Sequence, residues 1–470
     1  MLITLNWLSE FLELEEKNNK FAISLAEELL LSGLETEVLE INKLDCTNLV
    51  IAEIISVEDH PDADRLSLCT VNDGLNERQI VCGAKNVSSG QKIILANPGF
   101  VFPDGQKIKK TKIRGVLSDG MICSEKELGI GEDQSGIMVL GIDSEVGISP
   151  KKILGLEDPI LDISITPNRS DCLSVLGVAR ESSAILEKNL KIPEVTVKDQ
   201  PIVVNKSIEI LNPTDCPRYT VRAVFNAKIE DSPDWLKTRL RSSGMRPINN
   251  VVDITNYVML TLGQPLHAFD MDSLSGDKIF VRKWEKSDGQ FLALDGKKYD
   301  MSKEDLMICD ARGAIALAGV MGGIHTEVNK ETRNILFESA HFSPSCIRKT
   351  RRKIGLNTEA SYRFERGVDP NGTILALNMA VELTRQLTEG EISETIIDIY
   401  PVPFNPILVS LRLERIKNLL GVTFSGDEIK KLLEPLSINC SETNKSVIVC
   451  EIPTFRSDIT REIDLIEEIA

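Results

Sequence analysis

The chain has 470 residues, of which 42% are hydrophobic and 27% charged, a composition typical of soluble globular proteins. This length allows three or four domains, each with its own core. The formal net charge is -17, from 71 acidic against 54 basic residues. Because proteins that wrap nucleic acid by charge alone are basic, any such contact is expected to use local patches or to belong to a missing part or a partner. Basic runs occur at residues 107–114 and 348–353, although such runs are commonly just solvated faces.

Cysteine and histidine usage excludes some classes of site. The ten cysteines are scattered without a CxxC pair and the four histidines have no ligand spacing, so the sequence predicts neither a zinc site nor a disulfide framework. Residues 1–17 carry early acidic residues and no long apolar run, which predicts neither a signal peptide nor a membrane span. A cytoplasmic location with reduced thiols is therefore expected.

The first part of the chain divides by its hydrophobic pattern. Residues 1–39 predict a short strand and two amphipathic helices, because apolar side chains recur at helical spacing. Over residues 40–154, short β-branched runs alternate with Gly, Pro, Asn and Asp, which predicts a small β-barrel. A further helix is expected to start near residues 170–171. Residues 191–206 hold two prolines and predict a linker or an edge strand.

Two stretches in the middle third place polar residues inside apolar segments, which costs free energy unless the polar groups are used. They are residues 246–270 and 335–370, and the glycine-rich turn ALAGVMGG at residues 316–323 lies between them. The apolar run before Glu338 predicts a buried strand that delivers this carboxylate, and His267 follows a turn. A lone carboxylate and a lone imidazole among hydroxyls and amides suit a polar organic ligand better than a metal.

Each of these residues also has a purely structural interpretation. A single histidine such as His267 beside a turn is commonly a structural hydrogen-bonding group. Thr358 and Asn256 suit capping or turn positions. Glu338 is harder to explain structurally, because an unpaired buried carboxylate is costly. The residues alone therefore leave both interpretations open.

The last segment follows a boundary marked by three prolines in residues 401–406. Its pattern predicts a helix over residues 413–420 that stops at a glycine, and a second helix capped by Ser425 and Glu428. A strand is expected over residues 446–453, followed by a third helix.

The third helix of this segment carries a cluster of acidic residues. Asp464, Glu467 and Glu468 stand at i, i+3 and i+4, and Asp458 lies at or before the helix start. Like charges at this spacing repel one another unless a cation or a basic partner neutralises them. A solvated acidic face is the structural alternative.

The two central stretches resemble the editing module of the bacterial phenylalanyl-tRNA synthetase β subunit, almost without a break over residues 246–370. The resemblance implies a pocket that hydrolyses tyrosine wrongly attached to the phenylalanine tRNA. It assigns that pocket to residues that all stand in their expected motifs here: Thr255, Asn256, His267, Gly322, Glu338, Thr358 and Ala360.

Physical chemistry explains why such a second site would be needed. An apolar pocket built for phenylalanine rejects tyrosine only about a hundredfold, because it merely accommodates one more hydroxyl. A site that hydrogen-bonds the hydroxyl rejects the analogue lacking it by roughly 10⁴ or more. Glu338 is the expected acceptor for the phenol, and His267, Thr255 and Asn256 would position the terminal adenosine or the attacking water. No Ser or Cys beside a base is evident, so water attack is predicted rather than an acyl-enzyme.

The same family resemblance covers nearly the whole chain. Motifs at residues 60–66, 82–86 and 113–130 resemble an OB-fold tRNA-binding module. Because OB barrels host many ligands, these motifs indicate the fold more strongly than the ligand. In the C-terminal segment the resemblance implies a magnesium site shared with an α subunit, for which carboxylate oxygens are suitable ligands. Its residues are Asp458, Asp464, Glu467 and Glu468.

The fold class expected from pattern and resemblance together is multidomain α+β. Its parts are a discontinuous N-terminal α+β domain at residues 1–39 and 155–195, an inserted OB-fold β-barrel at residues 40–154, a mixed α/β editing domain at residues 205–400, and a small winged-helix-like domain at residues 401–470. The family continues with further domains, so the last domain is expected to be cut short at Ala470.

The resemblance also implies partners and substrates. In the family this subunit pairs with a catalytic α subunit as an α2β2 tetramer, a class II aminoacyl-tRNA synthetase. That enzyme uses ATP, bound at the α subunit, and Mg²⁺ to load phenylalanine onto tRNA(Phe). No motif for ATP activation is visible here, so this chain alone is not expected to aminoacylate.

Two other functions stay open. One is a non-catalytic tRNA-binding or scaffolding protein that keeps the barrel and the shell of the editing fold, and the other is a stand-alone editing hydrolase. Glu338 together with His267 favours hydrolysis over mere binding. The acidic helix around Asp464 favours a partnered synthetase over either alternative.

Overall fold

The computed structural model describes residues 1–39, 44–131, 133–444 and 446–470. The predicted domain boundary at residue 40 lies outside the described residues. The chain opens with a short strand and two helices, as its pattern predicts, and a further strand follows: β1 (Leu2–Thr4), α1 (Leu5–Leu8), α2 (Asn19–Leu31) and β2 (Glu35–Leu39).

The strands that follow build a nearly closed barrel, in agreement with the alternating pattern. They are β3 (Leu49–Asp59), β4 (Ser67–Asn72), β5 (Glu77–Cys82), β6 (Lys92–Ala96), β7 (Thr111–Ile113), β8 (Val116–Ser118), β9 (Met121–Ile122) and β10 (Val139–Leu140). β3 pairs with both β4 and β6. The short strand β9 pairs with β6 and also contacts β5 at the other end of the sheet, which brings the two ends together.

The next strand pairs with the two strands at the start of the chain. Strand β11 (Ile160–Ser164) lies between β1 and β2 in a three-stranded antiparallel sheet. Helix α3 (Val175–Leu186) begins later than the pattern predicts, because Ser170–Cys172 forms a 3-10 turn and Ser174 is the N-cap. The Ser174 hydroxyl accepts a hydrogen bond from the backbone N–H of Gly177.

The middle of the chain alternates strands and helices. Its strands are β12 (Asp199–Gln200), β13 (Ser207–Ile210), β14 (Arg218–Phe225), β15 (Leu266–Asp270), β16 (Lys278–Lys283), β17 (Phe291–Leu292), β18 (Lys298–Tyr299), β19 (Leu306–Cys309), β20 (Ala314–Leu317), β21 (Met321–Gly322), β22 (Ile335–His341) and β23 (Glu391–Ile399). Its helices are α4 (Asp234–Ser242), α5 (Asn250–Leu262), α6 (Pro344–Ile354), α7 (Glu359–Phe364) and α8 (Thr373–Thr388).

These strands form two main sheets with a shared core. The first has the order β12-β23-β14-β22-β15 and the second the order β13-β16-β19-β20-β21. Side chains alternate between faces along a strand. Phe337 of β22 therefore packs with α5 and α8 on one face of the first sheet. Leu336 of the same strand packs toward the second sheet on the other face.

The C-terminal segment is a small three-stranded sheet with helices. Its elements are β24 (Ile407–Arg412), α9 (Leu413–Leu420), α10 (Gly426–Leu433), β25 (Asn439–Asn444), β26 (Val447–Ile452) and α11 (Glu462–Ile469). Gly421 ends α9 with a φ of 76°, a conformation that glycine adopts freely. Ser425 and Glu428 form the predicted capping box of α10. Ile459 lies before the start of α11 and packs in one core with Leu465 and Ile466 of that helix. Within the described ranges, no helix is long and apolar enough to cross a membrane.

Candidate functional site

His267 and Glu338 stand directly opposite each other in the antiparallel pair of β15 and β22. By the alternation of side chains, both lie on the face of the sheet that also holds Phe269 and Leu336. That face packs toward the second sheet. β15 is also the last strand of the first sheet, so the pair stands at its edge.

The Glu338 side chain is buried, with 5% of the residue exposed. Its Oε2 accepts a hydrogen bond of 2.9 Å from the phenol of Tyr219, which β14 presents from the neighbouring strand. Burial raises the pKa of Glu338 from 4.5 to about 8, and the Tyr219 hydrogen bond opposes this rise only in part. The carboxyl group is therefore mostly protonated at neutral pH, which lets it both donate and accept hydrogen bonds.

The His267 ring is packed edge-on against Phe269, with ring centroids 4.4 Å apart. Its Nε2 is enclosed by the protein and has no hydrogen-bond partner among the described residues. Burial lowers the pKa of His267 from 6.5 to about 4. The imidazole is thus neutral at neutral pH, with one buried nitrogen that has unmet hydrogen-bonding capacity.

Gly322 brings the glycine-rich turn against the histidine. A Cβ atom at this position would lie 2.4 Å from Cε1 of His267, so a larger residue would push the ring away. Gly322 belongs to β21, and its carbonyl accepts a hydrogen bond of 3.0 Å from the backbone N–H of Leu294. The glycine is therefore required by close approach and not by backbone conformation.

Thr358 and Ala360 lie at the start of α7, on the same side of the sheet. The Thr358 hydroxyl accepts a hydrogen bond from the N–H of Ser361 and donates one of 2.9 Å to the carbonyl of Val320. The capping interpretation of Thr358 is thus confirmed, and the same hydroxyl ties α7 to the glycine-rich turn. Ala360 packs against the core between the two sheets.

Thr255 and Asn256 are placed differently. They lie on α5, which packs on the opposite face of the sheet through Ile254 and Val258. The Thr255 hydroxyl donates a hydrogen bond of 2.7 Å to the carbonyl of Val252 in its own helix. The structure therefore gathers five of the predicted residues on one side of the sheet, His267, Gly322, Glu338, Thr358 and Ala360. It places Thr255 and Asn256 on the helix behind it.

The structure adds Tyr219 to this site, a residue that the sequence pattern did not single out. Tyr219 sits in a strand whose other side chains are largely buried, and nothing in that pattern marks it as polar in function. Its neighbours include Cys216 and Cys309, whose thiol pKa values burial raises, that of Cys309 to about 12. Such thiols stay protonated and are poor nucleophiles.

Comparisons with known proteins match three domain models and a set of curated relatives. The family model described as "B3/4 domain" matches residues 215–389, "Putative tRNA binding domain" matches residues 49–149, and "tRNA synthetase B5 domain" matches residues 409–470. The phenylalanine–tRNA ligase β subunit of Syntrophus aciditrophicus is 42% identical over 475 residues, and that of Geobacter sulfurreducens is 44% identical over 473 residues. Over its whole length, the chain is therefore similar to phenylalanine–tRNA ligase β subunits.

The match to these β subunits covers 100% of this chain and 58% of the length of each relative. A solved N-terminal fragment of the phenylalanyl-tRNA synthetase β subunit from Pyrococcus horikoshii aligns with a TM-score of 0.35. It is 18% identical over 67% of this chain and 86% of that fragment, which is too distant to establish a shared fold. The gathered residues around His267 and Glu338 all fall within the B3/4 match.

The barrel that matches the model described as "Putative tRNA binding domain" carries a groove of about 1220 Å³. Residues from all three barrel motifs line it, including Leu66, Gly83 and Ser118. Two acidic residues, Asp104 and Glu127, face a larger number of lysines. These lysines are Lys85, Lys107, Lys109 and Lys126. In a chain with a net charge of -17, this groove concentrates positive charge locally.

The carboxylates in the B5 match do not converge as the implied magnesium site requires. Arg456 donates two hydrogen bonds to Asp458, of 3.0 and 2.9 Å, and another of 2.9 Å to Glu468. Asp464 instead accepts hydrogen bonds from the backbone N–H groups of Thr460 and Arg461, just before α11. Glu467 is exposed. In this chain Asp458, Asp464 and Glu468 face protein donors, and the four carboxylates do not converge on a common point.

One group of acidic and thiol side chains does converge within the described part of the chain, but it encloses a guanidinium. Asp171, Cys172 and Glu181 bring their ligand atoms within 4.8 Å of one another. Arg169 fills the space between them and donates to Asp171 at 3.0 Å and to Cys172 at 3.2 Å. This cluster is therefore a buried ion network.

Proposed function

We propose that this chain carries the hydrolytic editing site of a phenylalanine–tRNA ligase and removes tyrosine from tRNA(Phe). The observation that carries the proposal is the opposition of His267 and Glu338 on one sheet face, with an unpartnered imidazole nitrogen beside a glycine that leaves it room. A buried acid and a buried neutral base side by side are costly, and a polar ligand would satisfy both.

In this proposal Glu338 reads the phenol of the wrong amino acid. Tyr219 holds Oε2, which leaves Oε1 to hydrogen-bond the hydroxyl of a bound tyrosyl group. A phenylalanyl group offers no such hydroxyl, so its binding would leave the buried carboxyl group without that partner. This difference supplies the selectivity that an apolar pocket lacks.

His267 would orient the attacking water. With its pKa lowered to about 4, the imidazole is a weak base, so we assign it hydrogen bonding to water or to the terminal ribose and not full proton abstraction. The neighbouring thiols are held protonated by burial, which supports direct attack by water over an acyl-enzyme. Thr255 and Asn256 lie on the other face of the sheet. They would contact the terminal adenosine only if the ligand extends around the edge strand β15.

Partners follow from the family. We propose that the barrel groove contacts tRNA(Phe) through its lysines. We also propose that the chain acts within a cytoplasmic α2β2 class II synthetase, whose α subunit binds ATP and carries out aminoacylation. The magnesium site shared with that subunit stays a prediction, because Asp458 and Glu468 would first have to leave Arg456.

The test is the release of tyrosine from Tyr-tRNA(Phe) by this chain, with and without the α subunit. Glu338→Gln and His267→Ala are the variants, and Phe-tRNA(Phe) is the substrate control. We expect hydrolysis of the tyrosyl ester only, lost in both variants. A chain that binds the tRNA but never deacylates it under either condition would support the non-catalytic scaffold instead. Hydrolysis without the α subunit would support an editing hydrolase that works alone.

A further inference from the structure

Cys440 and Cys450 are paired across the last two strands of the chain. They stand directly opposite each other in the antiparallel register of β25 and β26. Their Sγ atoms are 3.6 Å apart, and both thiols are free. The pairing depends on the register of the hairpin, so the spacing of the two residues along the sequence did not reveal it.

The two thiols differ in their access to solvent. Cys450 is fully buried in the core of the C-terminal segment, on the strand face that also holds Ile448 and Ile452. Cys440 packs against that core but is only half-buried. Cys440 is therefore the more accessible of the two to a small oxidant, whereas Cys450 is enclosed by the core.

We propose that Cys440 and Cys450 form a dithiol site that a hydroperoxide oxidises to an intramolecular disulfide. The bond would close the hairpin of β25 and β26 within the segment that matches the B5 domain. This modification is independent of the editing reaction.

The backbone geometry suits the bond. Directly opposite residues in an antiparallel pair have Cα atoms about 4.5–5.5 Å apart, and disulfides span Cα separations of about 4.4–6.8 Å. The sulfurs must approach from 3.6 Å to about 2.04 Å, which rotation about the two Cα–Cβ bonds can supply. No change in strand register is needed.

The chemistry balances with the oxidant named. The Cys440 thiolate attacks one peroxide oxygen, the O–O bond breaks, and a sulfenic acid forms as hydroxide or alkoxide leaves and takes a proton. The Cys450 sulfur then attacks the Cys440 sulfur, and the hydroxyl group leaves as water with the Cys450 proton. In total two thiols lose two hydrogens, and hydrogen peroxide becomes two waters.

The surroundings favour Cys440 as the attacking sulfur. The adjacent Cys450 thiol, by donating a hydrogen bond, lowers the pKa of Cys440, while burial opposes this. Lys430 lowers the same pKa and Glu434 raises it. The hydrogen bond with Cys440, and after it burial, raise the pKa of Cys450, which keeps that sulfur protonated until the sulfenic acid has formed.

The test treats the whole chain with hydrogen peroxide, then blocks remaining thiols under native and denaturing conditions and maps peptides without reductant. We expect a Cys440–Cys450 cross-link that dithiothreitol reverses. Cys450→Ser should leave Cys440 as a sulfenic acid that dimedone traps, and Cys440→Ser should abolish oxidation of Cys450. Cys123→Ser, which removes a fully buried thiol from the barrel, is the matched control and should leave the cross-link unchanged.

A second readout keeps the proposal testable if a serine variant fails to fold. The cross-link should shift the urea midpoint of the wild-type chain upward on oxidation and return it on reduction, since it constrains the unfolded hairpin. If the two thiols stay alkylatable after oxidation, or if Cys440 links preferentially to another cysteine, the proposal is overturned. A cross-link that forms only after denaturation would overturn it equally.

Discussion

Tyr219 donates a hydrogen bond of 2.9 Å to Glu338 from the neighbouring strand, with both side chains buried between the two central sheets. The protein thus places its own phenol on the carboxyl group that we propose reads the phenol of a substrate. Tyr219 is in this sense a positioning residue, because it fixes one oxygen of Glu338 and leaves the other available.

Replacing Tyr219 by phenylalanine should destabilise the chain measurably. The change leaves a buried acceptor without its donor, which costs about 1–3 kcal/mol. Urea unfolding measures the loss. Tyr299→Phe is the matched control, because Tyr299 makes a similar 2.6 Å bond to Asp295 at the surface, where water can replace it. Equal effects of the two substitutions would contradict the burial account.

The pH dependence of stability should reveal the raised pKa of Glu338. Between its ordinary value of 4.5 and about 8, the folded chain keeps this proton while the unfolded chain has lost it. The contribution of Glu338 to stability is therefore largest at low pH and decreases by about 1.4 kcal/mol per pH unit across that window.

His267 acts with the opposite sign. Its pKa is lowered to about 4, so the unfolded chain binds the extra proton between about 4 and 6.5, and its contribution is lost as the pH falls. His267 is present in both wild type and Glu338→Gln. Its contribution therefore cancels when the unfolding free energy of the variant is subtracted from that of the wild type. That difference should decline steadily up to about pH 8, and a flat difference would refute the raised pKa.

Substituting Gly322 by alanine should damage the site without unfolding the domain. The added Cβ would meet the His267 ring at 2.4 Å and displace it. Misplacing a positioning group by about 1 Å can cost about a hundredfold in rate. Tyr-tRNA(Phe) deacylation measures the effect, and Gly372→Ala is the control, since its Cβ would meet Asp369 at an ordinary 3.5 Å. Unchanged deacylation by Gly322→Ala would argue against His267 in the reaction.

The barrel groove offers a test of the proposed tRNA contact. Lys107→Glu and Lys109→Glu should each weaken tRNA binding and lower the salt dependence by about one unit of log–log slope, because each removes one cation that neutralises a phosphate. Lys303→Glu changes the charge equally at an exposed position outside the groove and should have a smaller effect. Lys110→Glu is a second control and should also have a smaller effect, because Lys110 is already paired with Asp119 at 2.8 Å.

Several elements could be predicted from the sequence because residues close to one another in the chain determine them. The strand that delivers Glu338, the glycine that ends α9 and the capping box of Ser425 all follow from neighbouring residues. The start of α3 was misplaced, since Ser174 and not the earlier polar residues provides the cap. Ser170 and Asp171 instead belong to a 3-10 turn that directly precedes the helix.

The arrangement of the candidate site could not be predicted, because it depends on strand order and on which face of a sheet a residue occupies. The opposition of His267 and Glu338 requires β15 beside β22, and the role of Tyr219 requires β14 on the other side. The family resemblance assigns Thr255 to the same pocket, whereas α5, which carries it, packs on the opposite face of the sheet. Pairing at long sequence separation leaves no local signal.

The measurement that tests the central claim most directly is the ratio of deacylation rates for Tyr-tRNA(Phe) and Phe-tRNA(Phe), in wild type and in Glu338→Ala. If Glu338 reads the phenol, the wild-type ratio should approach roughly 10⁴, and the variant should bring it close to one by losing hydrolysis of the tyrosyl ester. Retention of the wild-type ratio in Glu338→Ala would contradict the account, because another group would then distinguish the two amino acids.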